Sequence, residues 1–204
     1  MSLPLPSPSA DARSDEILFS IRQAFAEKGF DGASMQDLAR AAGMSVGNFY
    51  RYFPSKAAIV EAMVGYDLAE IERDFAEILN SDDPMQGLRA KILQRMTEDC
   101  EGDSQLWAEI TAASMRKPEI CAVSQAMEAT VVAHLATIFA RVTGRSHAEA
   151  LARYAGECRL LVMLVKAMAT EMGKTDTPAP ELIEQVVRII DRTLTEISND
   201  SAKG

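Results

Sequence analysis

Alternation of polar and apolar residues, the mark of a half-buried strand, is missing from this chain, and aromatic residues make up only 6% of it. A sheet draws on β-branched and aromatic side chains in that two-residue period, so their scarcity excludes a β-rich fold. Histidine occurs only twice, as His134 and His147, and the three cysteines, Cys100, Cys121 and Cys158, lack metal-ligand spacing. There is no glycine-rich phosphate loop, serine elbow or cluster of metal ligands. The chain is therefore expected to be no enzyme and to need no cofactor. With no signal peptide or long apolar span evident, and an odd number of cysteines, a reduced cytoplasmic setting away from membranes is expected. The thiols read as small buried apolar groups. Cys121, in the first turn after Pro118, is the one candidate for redox sensing, because a helix N-terminus favours a thiolate.

What the sequence does contain points to helix. Alanine, leucine, glutamate, arginine and methionine are plentiful, and 204 residues can enclose a sizeable core. The expected fold class is all-α. The net charge of −9 is unevenly spread. Residues 1–56 carry six basic and six acidic side chains, while the rest carry fifteen and twenty-four. A neutral head on an acidic body turns its head toward an anionic partner, and its modest charge favours two heads binding together.

Apolar spacing divides the chain into nine helices. Residues 1–12 are proline-rich and read as a disordered arm. In Ser14–Lys28, Ile17, Ile21, Ala24 and Phe25 share a face. Helices follow over 34–43, 45–52, 55–80, 85–99, 104–116, 118–143, 146–172 and 180–197, with 173–179 a loop and 199–204 a frayed tail. Ser146 and Glu149 form a capping box. The resulting organisation is a head over 13–56 and a helical body over 57–198.

The most informative stretch is Ser34–Lys56, SMQDLARAAGMSVGNFYRYFPSK. Ser34 stands at an N-cap with Asp37 three residues on, Leu38, Ala39 and Ala42 share a face, and Gly43 supplies the positive backbone dihedral that ends a helix. Ser45 then caps a second short helix by accepting from the amide of Gly47 or Asn48. That helix is anchored by Phe49 and Phe53 and stopped by Pro54. Gly47 inside a helix costs about 1 kcal/mol against alanine, which points to close approach by another molecule. Two short helices about a tight turn over residues 34–53 are a helix-turn-helix, the arrangement that presents a helix to the DNA major groove.

These residues resemble the TetR family of bacterial regulators, through Ser34, Leu38, Ala39, Ala42, Gly43, Ser45, Gly47, Phe49, Tyr50, Tyr52, Phe53, Ser55 and Lys56. Phe49 replaces the leucine or isoleucine more usual there. The resemblance implies a homodimeric repressor in which the third helix enters the groove of a palindromic, double-stranded operator. It also implies that the later helices bind a small effector and dimerise, and that the fourth helix carries the signal. A rival reading is a helical dimer of the same build that binds small molecules or protein without DNA.

Roles follow from side-chain chemistry. Gln36, Val46 and Asn48 are base-edge candidates, since a carboxamide pairs with adenine and valine meets a thymine methyl. Ser34, Ser45, Tyr50, Arg51, Tyr52 and Lys56 are phosphate candidates, and Gly47 admits the backbone. Met63, Tyr66, Met96, Trp107, Met115 and Met127 are expected to line a soft apolar pocket, with polar points such as Glu109, Gln125 or His134. The last two helices are apolar on two faces, so each needs two partners. Tyr154, Cys158, Leu161, Val162, Val165, Val186, Ile190 and Leu194 are assigned to a four-helix interface between subunits.

Overall fold

The computed structural model describes residues 10–97, 103–172 and 180–200. Among them the chain forms ten α-helices and no strand: α1 (Ala10–Lys28), α2 (Met35–Ala41), α3 (Val46–Tyr52), α4 (Lys56–Asn80), α5 (Pro84–Thr97), α6 (Asp103–Ser114), α7 (Pro118–Thr143), α8 (His147–Arg153), α9 (Ala155–Met172) and α10 (Pro180–Asp200). The arm is shorter than expected, because α1 already begins at Ala10. At the other end α10 runs to Asp200, through residues read as tail. Cys100 and the 173–179 loop lie outside the described residues.

Serine chemistry sets most helix starts. Ser34, Ser45, Ser55 and Ser146 each accept a hydrogen bond from the amide three residues on, which satisfies a donor that the first turn leaves unpaired. Asp83 does the same for α5, its Oδ1 accepting from the amides of Met85 and Gln86 at 3.1 and 2.9 Å. Gly43 closes α2 at φ 63°, a conformation that costs other residues a clash at Cβ.

The helix expected over 146–172 is two helices. Tyr154 breaks it with φ −106° and ψ 19°, and its side chain supplies the reason. The ring packs edge-on against Phe139, centroids 5.8 Å apart, and the hydroxyl donates to Asp200 Oδ2 at 2.6 Å. Arg153 grips the same carboxylate, from Nε at 2.6 Å and Nη2 at 3.1 Å. The bend lets one residue seal the body core and tie down the end of α10, a tertiary demand that local sequence does not announce.

Two apolar cores form. The body core joins Phe75, Leu88, Ile92, Met96, Leu135, Ile138, Phe139 and residues of α8 to α10. The head core joins Ile21, Phe25, Phe30, Leu38, Ala39 and Phe49 to Ile59, Val60, Met63 and Val64 of α4. It also takes in Leu106, Ile110 and Ala113 of α6 and Ile120 of α7. The boundary expected at residues 56 and 57 therefore does not divide the packing, because α4 runs unbroken from one core into the other. By length and composition alone, α7 is apolar enough to cross a membrane, contrary to the expectation of no such span. Its C-terminal half, Leu135 to Ala140, serves the body core.

The interface assignment is corrected on the same ground. Tyr154, Cys158, Leu161, Val186, Ile190 and Leu194 are all buried within the protomer, and Val162 and Val165 pack half-buried against its core. The faces of α9 and α10 turned outward carry Met163, Leu182 and Ile189, 60%, 41% and 44% exposed. Both faces are apolar, so periodicity finds two of them without saying which looks inward.

Burial pushes the Cys158 thiol up to about 12. At pH 8 a thiol reagent is expected to leave Cys158 unmodified in the native protein and to label it only as denaturant unfolds the chain, read by peptide mass spectrometry. Native labelling at the rate of the half-buried Cys121 would contradict this packing.

Candidate nucleic-acid interface

The reading unit is assembled from short-range chemistry. Ser34 and Asp37 form a reciprocal capping box: Asp37 N–H donates to Ser34 Oγ at 3.1 Å, and Ser34 N–H donates to Asp37 Oδ2 at 3.0 Å. Lys28 Nζ lies 2.6 Å from Asp37 Oδ1. With Lys28 first and then Ser34 as donors, the Asp37 carboxyl is held well below its ordinary value. The Met44 amide then donates to Ala39 O at 2.9 Å, which fixes the turn after Gly43.

α3 is hung from this turn by one side chain. Phe49 is fully buried against α2, with Phe53 tilted against it at 5.3 Å between centroids. Every other residue of α3 is exposed: Val46, Gly47, Asn48, Tyr50, Arg51 and Tyr52. Val46, open to either direction in the sequence, points outward. A Cβ built at Gly47 would meet nothing within 4 Å, so no contact among the described residues requires this glycine. Gln36 is exposed on α2. The structure thus gathers Gln36, Val46, Gly47, Asn48, Tyr50, Arg51 and Tyr52 on the surface of one small unit.

Three candidates are partly engaged within the protein. Ser34 spends its hydroxyl on the capping box, and Ser45 Oγ accepts from Asn48 N–H at 3.3 Å. Lys56 Nζ donates to Phe30 O at 2.7 Å and to Asp31 O at 3.1 Å. An ammonium has three donors, so these bonds leave one for a phosphate. Burial, partly opposed by Asp31, lowers the Lys56 pKa. Sequence spacing placed Lys56 in the first turn of α4 but gave no sign that its head folds back onto the α1–α2 turn.

The family model for bacterial regulatory proteins of the tetR family matches residues 17–63, which takes in most of α1, all of α2 and α3, and the first two turns of α4. Over this head, the chain is similar to the TetR family of bacterial regulatory proteins. It is 29% identical over 125 residues to the HTH-type transcriptional regulator UidR of Escherichia coli K12, a match covering 59% of this chain and 61% of that protein's length. Against the HTH-type transcriptional regulator BetI of Yersinia pestis it is 27% identical over 147 residues, 69% of this chain and 74% of the relative. The structure of Salmonella enterica GusR superposes with a TM-score of 0.70 at 24% identity, over 92% of this chain and 98% of that one. That similarity shows a shared fold. UidR and BetI are regulators of transcription, which is not an enzymatic activity.

The residues expected to line an effector pocket do not converge. Met63 is fully buried in the head core and Met96 in the body core, while Met115 is 85% exposed beyond the end of α6. Tyr66 is exposed on α4, and Trp107 and Met127 are half-buried against the head core. Of the polar points, Gln125 is exposed. His134 stacks on Phe75 at 5.0 Å between centroids, with Glu72 Oε1 3.9 Å from its Nε2. Glu109 reaches into the head, where its Oε2 accepts from the Phe30 amide at 2.9 Å. Methionine recurs at helical spacing in core and surface alike, which is why spacing alone gathered residues that the fold separates. A cleft of about 420 Å³ lies elsewhere, between α8, α9 and α10, with Arg153, Glu157, Glu196 and Asp200 in its wall. Its walls are charged, unlike the apolar lining expected.

Proposed function

We propose that this chain is a ligand-responsive transcriptional regulator that binds a palindromic double-stranded operator as a homodimer and is released from it by a small, largely apolar effector. The observation that carries the reading is the exposure of all of α3 except Phe49. A seven-residue helix with one buried anchor and six outward residues is built to be covered by something else. Its outward set of a carboxamide, an aliphatic group, a guanidinium and two phenols suits a groove edge flanked by phosphates. Two such helices, related by a two-fold axis, would read half-sites one helical turn apart.

The dimer reading draws on the outward faces of α9 and α10. Met163 and Ala167 on α9, with Leu182 and Ile189 on α10, form an exposed apolar surface. Gly156 extends it, since a Cβ there would meet nothing within 4 Å and a second helix could approach closely. An effector fits best where α4, α6 and α7 pass between the two cores. Half-buried Leu68, Trp107, Val123 and Met127 border the head core there, and Ile71 and Val131 border the body core. A ligand wedged between them would act on α4, which spans both.

The test is fluorescence anisotropy of labelled DNA from the region upstream of the gene, beside a scrambled duplex, at several salt concentrations. Saturable binding that beats the scramble and weakens steeply with salt supports the reading. Equal, weak binding here and no enrichment in a genome-wide selection of bound fragments would refute it. With an operator in hand, Gln36→Ala and Asn48→Ala are each expected to relax discrimination by about 1–3 kcal/mol at particular base pairs. Tyr50→Ala should weaken binding to all duplexes alike. Competition with single-base operator variants measures both, and an unchanged preference profile in the first two variants would remove their base-reading roles.

A further inference from the structure

The body touches the head at a place other than α4. The turn between α1 and α2, Gly29 to Ala33, is held from below by the end of α6 and the start of α7. Glu109 Oε2 accepts from the Phe30 amide at 2.9 Å. Arg116 Nη2 and Lys117 Nζ each stand 3.0 Å from an oxygen of the Asp31 carboxylate. The Lys117 ammonium lies 5.9 Å from the centroid of the Phe30 ring. Gly29 is shaped for the contact: at φ +72° it closes α1, and a Cβ there would come within 3.2 Å of the Glu109 carboxylate.

The same two residues hold a DNA-contact candidate from the other side. Phe30 and Asp31 supply the carbonyls that bind Lys56 Nζ, and the Lys56 ammonium lies 5.3 Å from the Phe30 ring centroid. Phe30 itself is buried and stacked on Phe25, so the turn moves as one piece with α1. Four residues after Phe30, Ser34 caps α2. A displacement of α6 therefore reaches Lys56 and the start of the reading unit through one amide, one carboxylate and one ring.

We propose that Glu109, Arg116 and Lys117 form a latch by which α6 and α7 set the position of the α1–α2 turn, making them positioning residues for the DNA contact at Lys56 and a second route between body and head beside α4. The assignment rests on the DNA-binding reading above for its role, though not for its existence. The parts differ in kind. The Asp31 pairs are more than half exposed on the carboxylate and Arg116 side, so added salt screens them. The Glu109 bond joins a carboxylate to a backbone amide and is the stronger element.

The latch is tested first without DNA, by hydrogen exchange. Glu109→Ala should speed exchange across residues 29–41 about tenfold, the order expected when one hydrogen bond to a charged group is lost. Glu109→Gln, whose amide oxygen can still accept from Phe30, should return it to within about twofold of wild type, while α10 stays unchanged in both. Equal exchange in Glu109→Ala and wild type overturns the latch. Its role is tested through Trp107, the single tryptophan, two residues from Glu109 on α6. Coupling between sites is reciprocal, so operator binding must be felt at α6. Wild-type Trp107 emission should shift on titration with operator. In Asp31→Ala, which leaves the surroundings of Trp107 intact, the shift should shrink, and in Glu109→Ala it should vanish, while anisotropy still reports binding. A shift that survives in Asp31→Ala and in Glu109→Ala, or is missing from wild type, overturns the role. Absence of operator binding by anisotropy is failure of the DNA-binding reading, and the exchange comparison then decides the latch by itself.

Discussion

Replacing Ile189 with glutamate is expected to give a folded monomer whose operator affinity is lower by a factor of about 100 or more. Ile189 is nearly half exposed on α10 beside Leu182, so the protomer loses almost no packing. In the proposed dimer, a charge placed in the apolar contact between subunits has no partner there, and burying it costs several kcal/mol. Once the dimer separates, each head must hold its half-site alone, and the gain of about 10²–10⁴ from linked binding disappears. Sedimentation velocity at micromolar concentration and anisotropy with the intact palindrome read the two effects. The neighbouring position gives the opposite pattern. Ile190 points into the body core, so Ile190→Ala should lower stability by about 2–5 kcal/mol while the folded fraction stays dimeric. A dimeric Ile189→Glu protein would move the interface away from α10.

Phe49→Ala should abolish DNA binding for every sequence while leaving most of the helix content in place. The side chain is fully buried, and it is the only buried residue of α3. Truncating a buried phenylalanine costs about 3–5 kcal/mol, a large share of the roughly 5–15 kcal/mol that a domain has in total. That loss falls on a seven-residue helix with no other anchor. Circular dichroism should fall slightly, the first thermal transition should drop in temperature, and anisotropy should show no saturable binding with operator or scramble. Tyr50→Ala is the control for a lost contact as against a lost scaffold, because Tyr50 is exposed and its removal spares the fold. Wild-type affinity in Phe49→Ala would mean that α3 does not read DNA.

The head was largely legible in the sequence because its determinants are local. Ser34, Ser45 and Ser55 cap the helices they precede, Gly43 takes the left-handed conformation, and Phe49 is the buried anchor. Each of these depends on residues within about four positions, the range over which caps and turns act. What failed depends on distant partners. Tyr154 breaks a helix to meet Phe139 and Asp200, and Ile190 and Ile189, adjacent in sequence, face opposite ways for reasons held by α5 and α7. The methionines illustrate the same limit, since spacing puts Met63 and Met96 on helical faces but cannot say that two separate cores receive them. Glu109 reads in the sequence as a polar point of an effector pocket, and only the fold shows its carboxylate accepting from the amide of Phe30.

The sharing of the head core bears on how regulators of this build can be recombined. Leu106, Ile110, Ala113 and Ile120 complete the apolar floor beneath α1 and α4. A chimaera spliced at Ser55, with this reading unit set on a foreign body, would leave that floor to side chains that never fitted it. The transplant should carry the α6–α7 corner along with the first 64 residues, so the smallest exchangeable unit here is discontinuous in the chain.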